Sequence, residues 1–302
     1  MKIVVDDKIP FIKGVFEKYV EVVYLEGSKI TRQDVLDAEA LIIRTRTKCN
    51  ANLLEGTKVK FIATATIGFD HIDTEYCRSK NILWTNAEGC NSSSVQQYMA
   101  AALFFLAEKF SLSLHNLTIG IVGVGNVGKK AAALCETLGM KVLLNDPPRE
   151  QLEGSESFVS LDNIISYSDI ITFHVPLNYE GQNKTYHLVD DRFLSRLNKN
   201  QILINTSRGE VVKTESIKNN LQKKKLKGCI IDVWENEPGI NLDLLDLVDI
   251  GTPHIAGYSA DGKANGTAMS VNSIGKYFGF NLKNWYPDNI PIPQVTAIDT
   301  DC

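Results

Sequence analysis

The chain has 302 residues, of which 44% are hydrophobic and 23% are charged, and its formal net charge at pH 7 is −4. This composition is ordinary for a globular protein, and the length favours two domains over a single core. The slightly acidic balance argues against a nucleic-acid-binding surface. No apolar run approaches the roughly 20 residues that a membrane-spanning helix needs.

The six cysteines are scattered along the chain and form no C-x-x-C pair. They are Cys49, Cys77, Cys90, Cys135, Cys229 and Cys302. In a chain of this size the pattern indicates reduced thiols in a cytoplasmic protein, not a disulfide framework or a zinc site, so we expect no bound metal. The first residues form a strand pattern and resemble no signal peptide.

Short runs rich in β-branched residues alternate with helical segments almost throughout, which predicts parallel sheets with crossover helices. In the first third of the chain we predict five strands, with helices in most of the gaps between them. These strands cover residues 3–5, 21–25, 40–44, 61–64 and 83–85. A long helix is then expected over residues 92–112.

A glycine-rich unit follows, in which a strand at 119–122 leads into the G-x-G-x-x-G spacing and a helix at 126–138. Gly123 permits a tight turn, Gly125 lets a pyrophosphate approach bare backbone, and Gly128 brings the helix against the strand. The helix N-terminus, with Asn126 and Val127, offers N–H groups and a positive dipole end to phosphates. We therefore predict a dinucleotide-binding unit; the alternative is a glycine-rich turn that binds no nucleotide.

The next strand, at 141–145, ends at Asp146, which follows Gly128 by 146 − 128 = 18 residues. At this spacing a carboxylate can bond both ribose hydroxyls of an adenosine. Its charge would repel a 2′-phosphate, so the sequence favours NAD over NADP. Arg149, three residues later, weakens that preference slightly.

Four further strands are predicted, each followed by polar residues, at 170–174, 201–205, 228–232 and 249–251. Because ligands bind beyond the carboxyl ends of the strands in open α/β sheets, these polar residues are expected to converge on one cleft. A last helix, at about 260–284, is expected to return the chain to the first domain, before an aperiodic, proline-rich tail from Trp285. The predicted domains are therefore 1–95 with 259–302, and 96–258.

A nicotinamide cofactor needs a group that manages the proton accompanying hydride transfer, and histidine suits this task near neutral pH. The chain has five histidines. His254 has the best position, at a strand end, and His71 and His174 are also expected near the cleft. His115 and His187 are expected on the surface.

Glu237 ends the loop after the preceding strand and is the natural partner for the second ring nitrogen of His254. Arg208, on another strand-end loop, would offer a planar fork to a substrate carboxylate and the adjacent carbonyl. Together the three side chains indicate a 2-hydroxy-acid dehydrogenase site. Taken singly, each has another interpretation: Arg208 could form a surface ion pair, Glu237 could be an acid at the start of a helix, and His254 could be a hydrogen-bonded loop histidine.

At these residues the chain resembles the D-isomer-specific 2-hydroxyacid dehydrogenases. Their pattern is G-x-G-x-x-G with a later Asp, then N-x-x-R-G, D-V-x-x-x-E-P and P-H, and it is present at residues 123–146, 205–209, 232–238 and 253–254. The resemblance implies an α/β protein with two doubly wound parallel-sheet domains and an interdomain cleft. One would be a discontinuous, flavodoxin-like substrate domain, and the other a Rossmann NAD-binding domain.

Within this family the chain is most similar to the branch that oxidises 4-phospho-D-erythronate. The similarity lies in residues 1–7, 63–68 with 70–71, 89–91, 146–149, 173–177 and 249–258. It implies that substrate is bound by Thr45, Thr66 and Tyr258. It implies further cofactor contacts from Asp146, Val175, Asp232 and Gly257. Relatives commonly have threonine at the position of Val175, where valine could make a contact only through its backbone.

By this resemblance NAD would be used to oxidise the C2 hydroxyl of 4-phospho-D-erythronate to 3-hydroxy-2-oxo-4-phosphobutanoate, a step of pyridoxal 5′-phosphate biosynthesis. Arg44 and Arg46, which flank Thr45, are candidates for binding the phosphate. Two alternatives stay open. One is another D-2-hydroxyacid dehydrogenase, such as one that acts on phosphoglycerate, and the other is a non-enzymatic, NAD-responsive binding protein.

Family members usually continue into a C-terminal dimerisation domain, whereas this sequence stops at Cys302. We therefore expect either a truncated chain or a member of a short branch, and the homodimer typical of the family is an open expectation. The expected partner is a small phosphorylated hydroxy acid, with neither nucleic acid nor membrane involved.

Overall fold

The computed structural model describes residues 1–291. The chain forms two compact units, one made of Met1–Asn91 with the described residues from Ser259 onward, and the other of Ser92–Tyr258. The division falls at the start of a helix, slightly before the boundary expected at residue 95. The part of the predicted proline-rich tail from residue 292 onward lies outside the described residues.

The first unit contains a five-stranded parallel sheet. Its strands are β1 (Lys2–Asp6), β2 (Glu21–Leu25), β3 (Ala40–Ile43), β4 (Phe61–Thr64) and β5 (Leu83–Thr85). The spatial order is β2-β1-β3-β4-β5, which is the flavodoxin-like order. Strands β3 and β4 are buried at every position, as expected for a sheet covered on both faces.

Helices cover this sheet, as the sequence predicts, with one exception. They are α1 (Arg32–Val35), α2 (Ala51–Leu54), α3 (Thr74–Ser79) and the late helix α11 (Ala260–Phe278). The connection from β1 to β2 has no helix, and its apolar side chains Ile9, Ile12 and Phe16 pack directly into the core.

Helix α11 completes the core of the first unit. Val271 and Ile274 are fully buried in one cluster with Ile3 and Phe61 of the sheet. The helix ends at Phe278, earlier than the predicted residue 284, because Gly279 takes a left-handed conformation with φ 75°.

The second unit contains a six-stranded parallel sheet. Its strands are β6 (Thr118–Val122), β7 (Lys141–Asn145), β8 (Ile170–Phe173), β9 (Ile202–Asn205), β10 (Gly228–Ile231) and β11 (Ile250–Gly251). The spatial order is β11-β10-β9-β8-β6-β7. The prediction of two parallel α/β sheets is therefore confirmed.

Helices lie against both faces of the second sheet. They are α4 (Ser92–Phe110), α5 (Asn126–Thr137), α6 (Pro147–Glu153), α7 (Leu161–Tyr167), α8 (Asp191–Leu194), α9 (Thr214–Gln222) and α10 (Leu242–Leu245). One core cluster joins α4 and α5 to the sheet, and a second joins α7, α8 and α9 to it.

Each sheet has a point where the strand order reverses, and in open α/β sheets ligands bind beyond the strand ends at that point. In the first unit it lies between β1 and β3, and the loop after β3 carries Thr45. In the second unit it lies between β6 and β8, which are followed by Gly123 and His174. Among residues 1–291, no helix is both long and apolar enough to cross a bilayer.

Candidate active site

The glycine-rich turn between β6 and α5 is tight in the way that a dinucleotide requires. Gly123 has φ 89°, and a side chain there would collide with the carbonyl of His174. A side chain at Gly128 would collide with the carbonyl of Gly123. At Gly125, the cap of α5, an added Cβ would meet no atom within 4 Å. Exposed backbone at the start of a 12-residue helix therefore fits a pyrophosphate.

Asp146 lies at the end of β7, beside this turn. One of its carboxylate oxygens accepts a hydrogen bond from the Val124 backbone N–H at 2.8 Å, and the other accepts from Arg149 N–H at 3.1 Å. These bonds fix the carboxylate at the corner where the sequence predicts a ribose. The acid is therefore oriented by the same turn that would hold the phosphates.

The remaining predicted cofactor residues have distinct settings. Asn126 is exposed in the first turn of α5, and Val127 packs against the core beneath it. The Val175 methyl group would be 2.8 Å from a Cβ added to Gly123, so this side chain lines the turn with an apolar surface. Gly257 is half-buried and follows Ala256, whose carbonyl accepts a bond from Ser94.

Arg208 is held on a loop that Asn205 organises. The Asn205 amide donates to the Arg208 carbonyl at 2.9 Å, and its side-chain oxygen accepts from Ser207. A side chain at Gly209 would collide with the backbone of Trp234 and Glu235. Gly209 thus allows this loop to pack against the loop that carries Glu237. The N-x-x-R-G motif by itself does not predict this contact.

Glu237 and His254 are paired directly: Nδ1 of the imidazole lies 2.8 Å from Oε2 of the carboxylate. The other carboxylate oxygen accepts from the Trp234 backbone N–H at 2.8 Å. The His254 side chain is 49% exposed, so the pair with Glu237 covers the ring only in part. The hydrogen bond to Glu237 raises the pKa of His254, while partial burial and the positive charge of Arg208 oppose the rise.

Asp232 holds the loop that carries His254. This structural role was not predicted from the sequence. Its buried carboxylate accepts hydrogen bonds from the Thr252 hydroxyl at 2.6 Å and from the N–H groups of Ile255 and Ala256 at 2.8 and 2.9 Å. Its backbone carbonyl accepts from His254 N–H at 2.7 Å. The D-V motif therefore holds the P-H motif through hydrogen bonds to Asp232. The family resemblance implied only a cofactor contact for this residue.

The other histidines have different surroundings. His174 bonds to Thr172 at 3.1 Å, and burial lowers its pKa to about 4, so it is neutral at pH 7. His115 is exposed, as predicted. His187 is partly exposed, at 26%: its ring stacks on Tyr186 and lies 2.6 Å from the Glu235 carboxylate.

The predicted substrate-binding residues lie in both units. In the first unit Thr45 is exposed after β3, and the Thr66 hydroxyl lies 2.8 Å from that of Thr64 and donates to the Gly68 carbonyl. In the second unit Tyr258 is 63% exposed. Within residues 1–291, no group of three or more His, Cys, Asp or Glu side chains is arranged to hold a metal ion.

Comparison with known families gives a match over residues 92–256 to "D-isomer specific 2-hydroxyacid dehydrogenase, NAD binding domain". The matched segment starts with α4 and includes the glycine-rich turn, Arg208, Glu237 and His254. The sequence prediction of an NAD-binding domain of this family is confirmed.

Curated relatives are similar over nearly the whole chain. An erythronate-4-phosphate dehydrogenase of Bacteroides fragilis is 54% identical, covering 99% of this chain and 86% of its own length. One from Porphyromonas gingivalis is 44% identical, with coverages of 99% and 81%. The crystal structure of D-lactate dehydrogenase from Aquifex aeolicus, in complex with NAD and lactic acid, superposes with a TM-score of 0.78. It is 26% identical and covers 94% of this chain and 97% of its own.

The histidine–glutamate pair gives a direct prediction. Glu237→Gln removes the negative charge beside His254, so the pKa of the imidazole falls and its titration moves to lower pH. The measurement is a proton NMR titration of the histidine ring signals, with His254 assigned by the loss of its signal in His254→Gln.

A matched control is Glu235→Gln, which removes a carboxylate two residues away that pairs with His187 instead. In this control the pKa of His254 should stay at its wild-type value. An unchanged His254 pKa in Glu237→Gln, or an equal shift in both variants, would contradict the pairing.

Proposed function

Because the chain belongs to the D-isomer specific 2-hydroxyacid dehydrogenase family, we propose that it oxidises the C2 hydroxyl of 4-phospho-D-erythronate to the 2-oxo acid, with NAD as hydride acceptor. The observation that carries this proposal is the hydrogen-bonded His254–Glu237 pair, near enough to Arg208 for its positive charge to lower the pKa of both side chains. The names of the curated relatives support this substrate over phosphoglycerate.

In the proposed reaction His254 removes the proton from the C2 hydroxyl, using the ring nitrogen that Glu237 does not bind. The carboxylate stabilises the imidazolium that forms and fixes the orientation of the ring. Arg208 is positively charged at all working pH values, so it can bind the substrate carboxylate and favour the developing carbonyl. These three roles need no group beyond the loops after β9, β10 and β11.

NAD, when bound, supplies the acceptor for the hydride that leaves C2. Its pyrophosphate would lie on the backbone of Gly123, Gly125 and Gly128 and on the first turn of α5, and its ribose hydroxyls would bond to Asp146. Further contacts are proposed for Asn126, Val127, Val175, Asp232 and Gly257. Because three of the hydrogen bonds of Asp232 hold the His254 loop, a cofactor contact would add to that function.

The substrate roles of Thr45, Thr66 and Tyr258 are part of the same proposal. For the phosphate we favour Arg46 over Arg44. Arg44 is half-buried and donates to the Lys8 carbonyl at 3.3 Å. Arg46 is exposed in a polar pocket of about 470 Å³ that Arg32 and Lys48 also line. Arg32 donates two of its nitrogens to the Asn52 and Ala51 carbonyls, so Arg46 and Lys48 are the cations better placed for a dianionic phosphate.

The cytoplasm is the proposed location, since the five cysteines among the described residues are free thiols, which suits a reducing compartment. A homodimer is proposed from the family resemblance alone.

The substrate is tested by following NADH absorbance with 4-phospho-D-erythronate, 3-phosphoglycerate and unphosphorylated D-erythronate. We expect the highest kcat/KM with 4-phospho-D-erythronate. A higher value with 3-phosphoglycerate would assign a different reaction within the family. NAD binding without turnover of any hydroxy acid would instead favour the non-enzymatic binding protein.

His254→Gln should lose about 10²-fold or more in kcat, the usual contribution of general base catalysis, while still binding NADH. Stopped assays and NADH fluorescence measure the two properties separately. His115→Gln, which changes an exposed histidine, is the control and should be fully active. Undiminished turnover in His254→Gln would remove this residue from the mechanism.

Arg46→Ala should raise KM for 4-phospho-D-erythronate about tenfold, because it removes a charged hydrogen-bond donor worth roughly 1.5–3 kcal/mol. KM for unphosphorylated D-erythronate should change little, since that molecule has no phosphate. Arg78→Ala, which breaks an exposed ion pair with Glu75, is the charge-matched control. Equal effects on both substrates would contradict a phosphate role.

A further inference from the structure

Arg149 is fixed in three directions at the corner between β7 and α6. Its Nε and Nη2 donate to the two carboxylate oxygens of Glu153 at 2.7 and 2.5 Å. Its Nη1 donates to the backbone carbonyl of Val124 at 2.6 Å. The guanidinium carbon also lies 5.2 Å from the ring centroid of Phe158. These contacts use three of the five N–H donors of the guanidinium.

Val124 is the central residue of the glycine-rich turn, and both of its backbone polar groups are held from this corner. Its N–H donates to Asp146 and its carbonyl accepts from Arg149. Gly123 and Gly125, on either side, have no side chains to limit their conformation. At Val124 the turn that would receive the pyrophosphate is therefore bonded to one acid and one arginine from the next strand end, while the Gly123 N–H donates to the Asn145 carbonyl at 2.8 Å.

The same arginine follows Asp146, the acid proposed to bind the ribose, and its backbone N–H donates to that carboxylate at 3.1 Å. In dinucleotide-binding domains an acid at the end of the second strand binds the ribose hydroxyls, and a nearby arginine accommodates the extra phosphate of NADP. Both residue types are present here, three positions apart. The Glu153 carboxylate pairs with two nitrogens of this guanidinium, while the third donates to the Val124 carbonyl.

We propose that Arg149 is a positioning residue for the dinucleotide turn and that Glu153 is a specificity-determining residue that keeps this arginine from binding the 2′-phosphate of NADP. The proposal rests on the NAD site proposed above and on the distances within this corner. The pairing also lowers the pKa of the Glu153 carboxyl, so the acid is ionised at neutral pH. Glu153 is half-exposed in the last turn of α6, so its replacement should cost little stability.

The test compares binding of NADH and NADPH, measured by nucleotide fluorescence without substrate. The wild-type protein should bind NADH more tightly. Glu153→Ala releases two charged donors toward a 2′-phosphate, so its Kd for NADPH should fall about tenfold. The gain should vanish in the double variant Glu153→Ala/Arg149→Met.

A matched control separates this effect from simple removal of negative charge. Glu150→Ala removes an acid from the same helix without freeing Arg149, and should leave the Kd for NADPH near the wild-type value. Arg149→Met alone should raise the Kd for NADH about tenfold, because the Val124 carbonyl loses its donor. A cooperative melting transition would show that this variant is folded.

Three results would overturn the proposal: an unchanged NADPH affinity in Glu153→Ala, an equal gain in Glu150→Ala, or a gain that persists without Arg149. Wild-type NADH affinity in Arg149→Met would overturn the positioning role. None of these measurements involves a hydroxy acid, so they are independent of whether 4-phospho-D-erythronate is the substrate.

Discussion

The candidate catalytic centre depends on the hydrogen bonds that the buried carboxylate of Asp232 accepts. It lies at the end of β10, is 1% exposed, and collects three hydrogen bonds from the loop after β11. His254 has φ 57° in that loop, a conformation that needs support from its surroundings. Without this acid the loop would lose the bonds that present the imidazole to Glu237.

The second constraint is the parallel sheet, because it brings the loops after β9, β10 and β11 to one edge. Arg208, Glu237 and His254 are separated by up to 46 residues (254 − 208), yet each follows one of three adjacent strands. Gly209 lets two of these loops approach at backbone distance. The close backbone approach at Gly209 and the hydrogen bonds of Asp232 therefore support the loops that carry the predicted catalytic side chains.

The strands, the glycine-rich unit and the His254–Glu237 pair could be predicted because they depend on local periodicity and strand order. Other features depend on partners distant in sequence. The pairing of His187 with Glu235 could not be predicted because the two residues lie 48 positions apart. The three hydrogen bonds that the Asp232 carboxylate accepts depend on the path of the loop after β11, which is neither helix nor strand. The end of α11 at Phe278 is different, because the local sequence does indicate it: Gly279 is a typical residue at a helix C-terminus.

The packing of α11 also determines when the first unit can be completed during synthesis. Ile274 shares a core with Ile3, so 271 residues separate two side chains of one cluster (274 − 3). The second unit is continuous from Ser92 to Tyr258 and leaves the ribosome before α11 does. The nascent chain can therefore fold its inserted part first, while part of the apolar face of the N-terminal sheet stays uncovered until α11 has been synthesised.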